Sequence, residues 1–155
     1  MISGEFPELI STSMNQTFYG CTSLSSMHFP KLQSGYLTST FQNCSNLVSV
    51  EFPELTTGTF LTAFSGCKML SAVKFPKLLS SNGGFAGAFQ NCENLPYVDF
   101  PELTAAGSKG FYNAFSTGCS SFVSVSLPAL ATIQSSCFMQ FYSGNNEVSV
   151  AMSSV

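Results

Sequence analysis

A phenylalanine-proline pair returns along the chain at Phe6-Pro7, Phe29-Pro30, Phe52-Pro53, Phe75-Pro76 and Phe100-Pro101, with Leu127-Pro128 in the sixth place. The prolines lie 23, 23, 23, 25 and 27 residues apart. A period of this length marks stacked supersecondary units, none of which can bury its apolar face alone. The repeat covers nearly all of the 155 residues, so a single domain over 1–155 is expected.

Aligned on the prolines, the units read F-P-x-L, a variable stretch, then F-x-x-C-x-x-L-x-x-V-x before the next F-P. The main phenylalanine column is Phe18, Phe41, Phe64, Phe89, Phe115 and Phe141. Cysteine follows three residues later, or four in the fifth unit, at Cys21, Cys44, Cys67, Cys92 and Cys119, with Gly144 in the sixth place. Leu24, Leu47, Leu70, Leu95 and Phe122 come next, then Met27, Val50, Val73, Val98, Val125 and Val150. Beyond the prolines stand Leu9, Leu32, Leu55, Leu78, Leu103 and Leu130, with Val155 closing the series. Four residues before the main phenylalanine a further column reads Met14, Leu37, Phe60, Phe85, Phe111 and Cys137.

Val-x-Phe alternates apolar, polar and apolar, the period of a strand with one buried face. Strands that run the same way and are joined by about twenty residues can pair only in parallel. One short strand per unit, and one parallel sheet, are therefore predicted. The proline after each strand has no N–H to donate and ends the ladder. Gly20, Asn43, Gly66, Asn91 and Gly118 precede the cysteines, and both residue types tolerate a left-handed backbone. That predicts a single helical or 3₁₀ turn closed at this position.

In these columns the chain resembles leucine-rich repeats of the BspA, or Treponema pallidum, type. The shared features are a strand ending in Pro, an Ala-Phe pair and a Cys three residues later, as in TAFSGCKMLSAVKFPKL. Phe before the proline, and a single residue between Pro and Leu, set this chain apart from that pattern. The resemblance implies a repeat solenoid: a right-handed superhelix of about six rungs with one parallel β-sheet and short helical or 3₁₀ turns. It further implies a non-enzymatic binding or adhesion module of a bacterial cell surface or secreted protein, touching a protein or glycan ligand. A structural spacer or a phage-tail receptor-binding element is the alternative. Terminal rungs need polar caps and none is visible, so a longer parent chain or end-to-end self-association is expected. No charged-then-apolar leader precedes the first unit, so no secretory signal is expected in this stretch.

Charged residues make up only 8% of the chain, against roughly 25% in ordinary soluble domains, which leaves solubility to Ser, Thr, Asn and Gln. With a net charge of -3, no arginine and five lysines, there is no basic stripe for nucleic acid or for a polybasic membrane anchor. No apolar run nears the roughly 18 residues of a membrane span, so insertion is not expected.

The column cysteines and Cys137 are expected to be buried free thiols. Stacked neighbours have parallel Cβ vectors and Cβ atoms ~4.8 Å apart, where a disulfide needs ~3.8 Å. No Cys-x-x-Cys or Cys/His pair suggests a metal site. His28, the single histidine, is expected on the solvent side of its strand, with no nucleophile elbow beside it, so no catalytic residue is assigned. SNGGFAGAF lacks the spacing of a phosphate loop, reads as a lengthened connection, and no cofactor is expected.

Two outward columns alternate in sign: His28, Glu51, Lys74, Asp99, and Glu8, Lys31, Glu54, Lys77, Glu102. Alternation predicts ion pairs between neighbouring rungs, each contributing roughly 0.2 to 1 kcal/mol. The outward column Ser26, Ser49, Ala72, Tyr97, Ser124, Ser149 holds one large side chain, which makes Tyr97, with Asp99 beside it, a candidate contact. From the column Leu to the main Phe there are 8 residues in three units, then 10, 11 and 10. Insertions in repeat proteins collect on one face, often the binding face, and these bring Lys109 and Tyr112 into the candidate set.

Overall fold

The computed structural model describes residues 2–132, 136–143 and 147–152. The expected solenoid of about six rungs is present, and its strands pair in parallel throughout. The first face carries β1 (Ile2–Glu5), β3 (Leu24–His28), β5 (Ser49–Glu51), β7 (Ala72–Lys74), β9 (Tyr97–Asp99), β11 (Ser124–Leu127) and β12 (Ser149–Met152). These hold the Val-x-Phe segments, and Met27 pairs with Val50 and Val50 with Val73 in register.

A second parallel sheet, absent from the sequence reading, covers another face. It consists of β2 (Ser11–Ser13), β4 (Ser34–Tyr36), β6 (Thr57–Thr59), β8 (Ser80–Ser81) and β10 (Ala105–Ala106), each paired to the next rung. Its segments show no apolar alternation because their inward positions are kept small. A Cβ on Gly58 would meet ring atoms of Phe60 at 2.7 Å, and the next inward positions are Ser81 and Ala106, both buried. The large side chains filling this space come from the following turn.

Between the faces, F-P-x-L is a β-turn. The Leu9, Leu32, Leu55 and Leu78 amides donate to the phenylalanine carbonyl three residues back at 3.4 Å. Proline occupies the second position, where its fixed φ matches the turn.

The segment around the main phenylalanine is not helical, and no helix occurs among the described residues. Its amides take two routes by turns. Met14, Gln16, Phe18 and Gly20 donate to the Tyr36, Thr38, Thr40 and Gln42 carbonyls of the next rung at 2.8 to 3.0 Å, while Thr17, Tyr19 and Cys21 donate three residues back. The expected left-handed column is present: φ is 67° at Gly20, 63° at Asn43, 78° at Gly66, 56° at Asn91 and 63° at Gly118. A second such column was not expected, at Gln16, Ser39, Thr62, Gly87, Asn113 and Gln140, with φ from 50° to 63°. Two left-handed residues per turn leave no run long enough for a helix. Gly and Asn alternate in the first column for a packing reason. A Cβ on Gly66 would strike the Asn43 side chain, and one on Gly118 the Asn91 side chain.

These bonds correct the register of the sixth rung. The carbonyl accepting from Phe111 is that of Cys137, so Phe138, not Cys137, continues the inner column and stacks on Phe111 at 5.4 Å. Phe115 bridges to Tyr142, so Tyr142, not Phe141, takes the main position. Phe141 stands one residue before the column position and shares its residue type, which is why identity alone points to it. Gly144 and Val155, assigned above to the sixth cysteine and leucine positions, lie outside the described residues.

Phenylalanine ladders fill the interior. Phe29, Phe52, Phe75 and Phe100 stack at 5.2 to 5.6 Å, and Phe41, Phe64, Phe89 and Phe115 at 5.0 to 5.6 Å. All eight are buried, each stabilising the stack by about 1.5 to 3 kcal/mol through removal of apolar surface from water. Cys44, Cys67, Cys92 and Cys119 are buried free thiols that donate to the Phe18, Phe41, Phe64 and Phe89 carbonyls of the preceding rung at 2.9 to 3.2 Å. Burial pushes the Cys44 and Cys119 thiols up to about 11 and also raises those of Cys67, Cys92 and Cys137. Cys21, expected to be buried, is exposed because it lies on the outermost rung.

Candidate functional site

The first face is interrupted at one junction. Strands β1, β3, β5 and β7 form one sheet and β9, β11 and β12 another, with no ladder between β7 and β9. The amides of Val48, Ser71 and Val123 each donate to the carbonyl one rung earlier, on Ser25, Val48 and Pro96, at 2.8 to 2.9 Å. Pro96 occupies the corresponding position in the fifth rung and has no N–H, so the bond that would open the ladder to β7 cannot form.

A cleft of about 250 Å³ lies at this interruption, with Lys74, Phe75, Pro76, Tyr97, Asp99 and Pro101 among its lining residues. Tyr97 and Asp99, two residues apart on one strand, both point outward, and Tyr97 is 60% exposed. The sequence-derived pair therefore shares one surface. Lys109 and Tyr112 do not line the cleft. They sit in the lengthened connection after β10, where the Lys109 Nζ lies 5.8 Å from the Tyr112 ring centroid, so each engages the other.

The charge columns pair only in part. Lys31 meets Glu8 at 2.9 Å, Lys77 meets Glu54 at 2.7 Å and Lys74 meets Glu51 at 3.0 Å, with His28 Nδ1 3.5 Å from the other Glu51 oxygen. The expected continuous alternation breaks into a run of His28, Glu51 and Lys74 on the strands and two separate pairs at the turn tips. Asp99 and Glu102 form no ion pair among the described residues, and Glu54 pairs with Lys77 but not with Lys31.

A second concavity, about 500 Å³, runs over the second sheet between Ser11, Ser13, Ser34, Tyr36, Thr57 and Thr59. Tyr36, 64% exposed, is a surface aromatic that sequence reasoning passed over. Its signal was a tyrosine in a column otherwise reading Ser13 and Thr59, legible only once the second sheet is known. Among the described residues no three His, Cys, Asp or Glu side chains converge as metal ligands, and no helix is long and apolar enough to cross a membrane.

The BspA type leucine-rich repeat region, a model of six repeat copies, matches residues 1–116 and 62–149. The chain belongs to the BspA-type leucine-rich repeat family. Proteins built from these repeats are in general protein-binding scaffolds. Among solved structures, this BspA-type chain is similar to the leucine-rich repeat protein of T. pallidum, with 25% identity and a TM-score of 0.64 over 82% of its length. It shares its fold with a leucine-rich repeat protein of Bacteroides ovatus, at 22% identity and a TM-score of 0.53 over 97% of its length. It spans 59% and 42% of those two chains, respectively. No curated protein matches the sequence.

Proposed function

We propose that this chain is a non-enzymatic recognition module that holds a protein partner at a bacterial cell surface, with the cleft between β7 and β9 as its contact. One coincidence carries the reading: a lapsed ladder, a cleft, an exposed tyrosine and a carboxylate with no ion pair among the described residues meet at a single junction. The other outward positions in the Tyr97 column are Ser or Ala. Tyrosine supplies a large contact area with few torsions to fix, which is why it recurs at interface hot spots. The surface or secreted setting rests on the family resemblance.

Panning a random peptide library on phage against the intact chain tests this. Enriched peptides should bind Tyr97→Ala about tenfold or more weakly than the parent, and Tyr36→Ala as well as the parent. Binders indifferent to Tyr97 and weakened by Tyr36→Ala would move the contact to the second sheet. A rigid spacer or phage-tail receptor-binding element is the second reading, favoured by the uniform 23-residue spacing from Pro7 to Pro76. Panning that yields no peptide dependent on either tyrosine would support it.

A further inference from the structure

Lys74 stands between two carboxylates, Glu51 in the rung before and Asp99 in the rung after. It reaches back, its Nζ 3.0 Å from Glu51 Oε1. The turn tips repeat the asymmetry, since Lys77 meets Glu54 at 2.7 Å and Glu102 has no cation among the described residues. Both lapses fall at the junction where Pro96 removes the opening ladder bond. The fifth rung thus presents Asp99 and Glu102, both exposed, while the neighbouring lysines are already neutralised. Asp99 lines the cleft together with Tyr97, Pro76 and Pro101.

We propose that the cleft receives a lysine or arginine side chain of the protein partner, its cation between the Asp99 carboxylate and the Tyr97 ring, its methylene stem along Pro76 and Pro101. The inference rests on the reading of the cleft as a protein contact. A carboxylate and an aromatic face each attract a cation, and they do so together where water is thinned. An anionic group would meet Asp99 as a like charge, while the Lys74 ammonium that also lines the cleft is already held by Glu51. A purely apolar side chain would cover Asp99 without a partner, which is costly. The ligand is a side chain and not a metal ion, since no three-ligand cluster exists among the described residues.

The probe is an acetylated, amidated Gly-Gly-Arg-Gly-Gly peptide titrated into the intact chain, followed by NMR, with citrulline in place of arginine as the neutral isostere. Arginine should shift the Tyr97 and Asp99 resonances, bind about tenfold more tightly than citrulline, and weaken as salt is raised. Asp99→Asn should erase the preference for arginine. Glu51→Gln, outside the cleft, should weaken arginine binding by releasing Lys74 toward Asp99. Equal binding of the two peptides, shifts confined to another face, or no shift at all would each overturn the inference. Phage peptides that need Tyr97 but carry no cation would defeat the cation while leaving the cleft in place. Peptides that ignore Tyr97 would remove both.

Discussion

The fourth and fifth rungs are joined on one side and unjoined on the other. On the turn face Phe85, Gly87, Phe89 and Asn91 donate across the junction to Gly110, Tyr112, Ala114 and Thr117, and the Cys119 thiol reaches the Phe89 carbonyl at 3.0 Å. On the first sheet the same two rungs share no ladder. A stack can therefore relax one face locally, because the other face and the phenylalanine ladders hold the rungs in place. The comparison predicts that stability resides on the turn face of this junction and recognition on its sheet face.

The largest test of that division is a pair of aromatic truncations. Phe89→Ala, fully buried between Phe64 and Phe115, should lose about 3 to 5 kcal/mol in urea unfolding. Tyr97→Ala at the same junction should stay within about 0.5 kcal/mol of the parent. Comparable losses from the two would mean that the sheet face carries stability as well.

Alkali provides the next. The folded-state values of Cys44 and Cys119, near 11, lie above the ordinary 9.0. The stability they contribute is complete below pH 9 and is lost as pH rises through 11. Each thiol should add about 1.4 kcal/mol of loss per pH unit inside that window. Cys119→Ala should show a shallower decline by the share of one thiol, and an identical slope would mean that Cys119 ionises freely in the fold.

Gly118→Ala tests the turn face itself. At φ 63°, with Asn91 occupying the space of a Cβ, it should cost about 2 kcal/mol. Gly20→Ala, at φ 67° with nothing within 4 Å, should cost about 1 kcal/mol. Adding Asn91→Gly to Gly118→Ala should recover part of the difference between the two, because it removes the side chain but leaves the residue 91 Cα 3.0 Å away; no recovery would reject side-chain conflict as the source of the alternation.

Pro96→Val addresses the sheet face. Restoring an N–H offers about 1 kcal/mol of hydrogen bonding, offset by about 0.4 to 1 kcal/mol from losing the proline's restriction of the unfolded chain. Net stability should move by less than about 1 kcal/mol, while residue 96 gains a slowly exchanging amide and affinity for the arginine peptide falls. A fast-exchanging amide would show that the interruption does not depend on the proline.

The smallest effect contrasts two glutamates of the turn-tip column. Glu54→Lys replaces the partner of Lys77 with a like charge and should lower stability by roughly 0.2 to 1 kcal/mol at low salt. Glu102→Lys, which breaks no ion pair, should be close to neutral. A larger loss at Glu102 would mean that it is paired in solution.

Much of this architecture was legible because the repeat displays it several times over. Val-x-Phe announced the first sheet, and Gly or Asn before each cysteine announced the left-handed residue. The second sheet was hidden because its inward residues, Gly35, Gly58, Ser81 and Ala106, are small wherever Leu37, Phe60, Phe85 and Phe111 fill the interior beneath them. The other left-handed column was hidden because Gln16, Ser39 and Thr62 carry no conformational signature of their own. Tyr97 and Asp99 stood out as departures within their columns. Pro96 was visible beside them, but its consequence required the rungs to be stacked, showing that it falls where Val48, Ser71 and Val123 donate.

The backbone hydrogen bonds that cross from rung to rung around the main phenylalanine all run one way, although the cysteine thiols donate in the opposite sense. In a regular rung four peptide groups point their amide hydrogens toward the later rung and their carbonyl oxygens toward the earlier one. Each peptide carries a dipole of about 3.5 D, and aligned groups add where the alternating dipoles of ordinary sheets cancel. The solenoid is thus electrically polar along its axis, positive toward the later rungs and negative toward the earlier. Two copies stacking through their ends would be matched only head to tail, a heterologous contact that propagates as a filament instead of closing as a symmetric dimer.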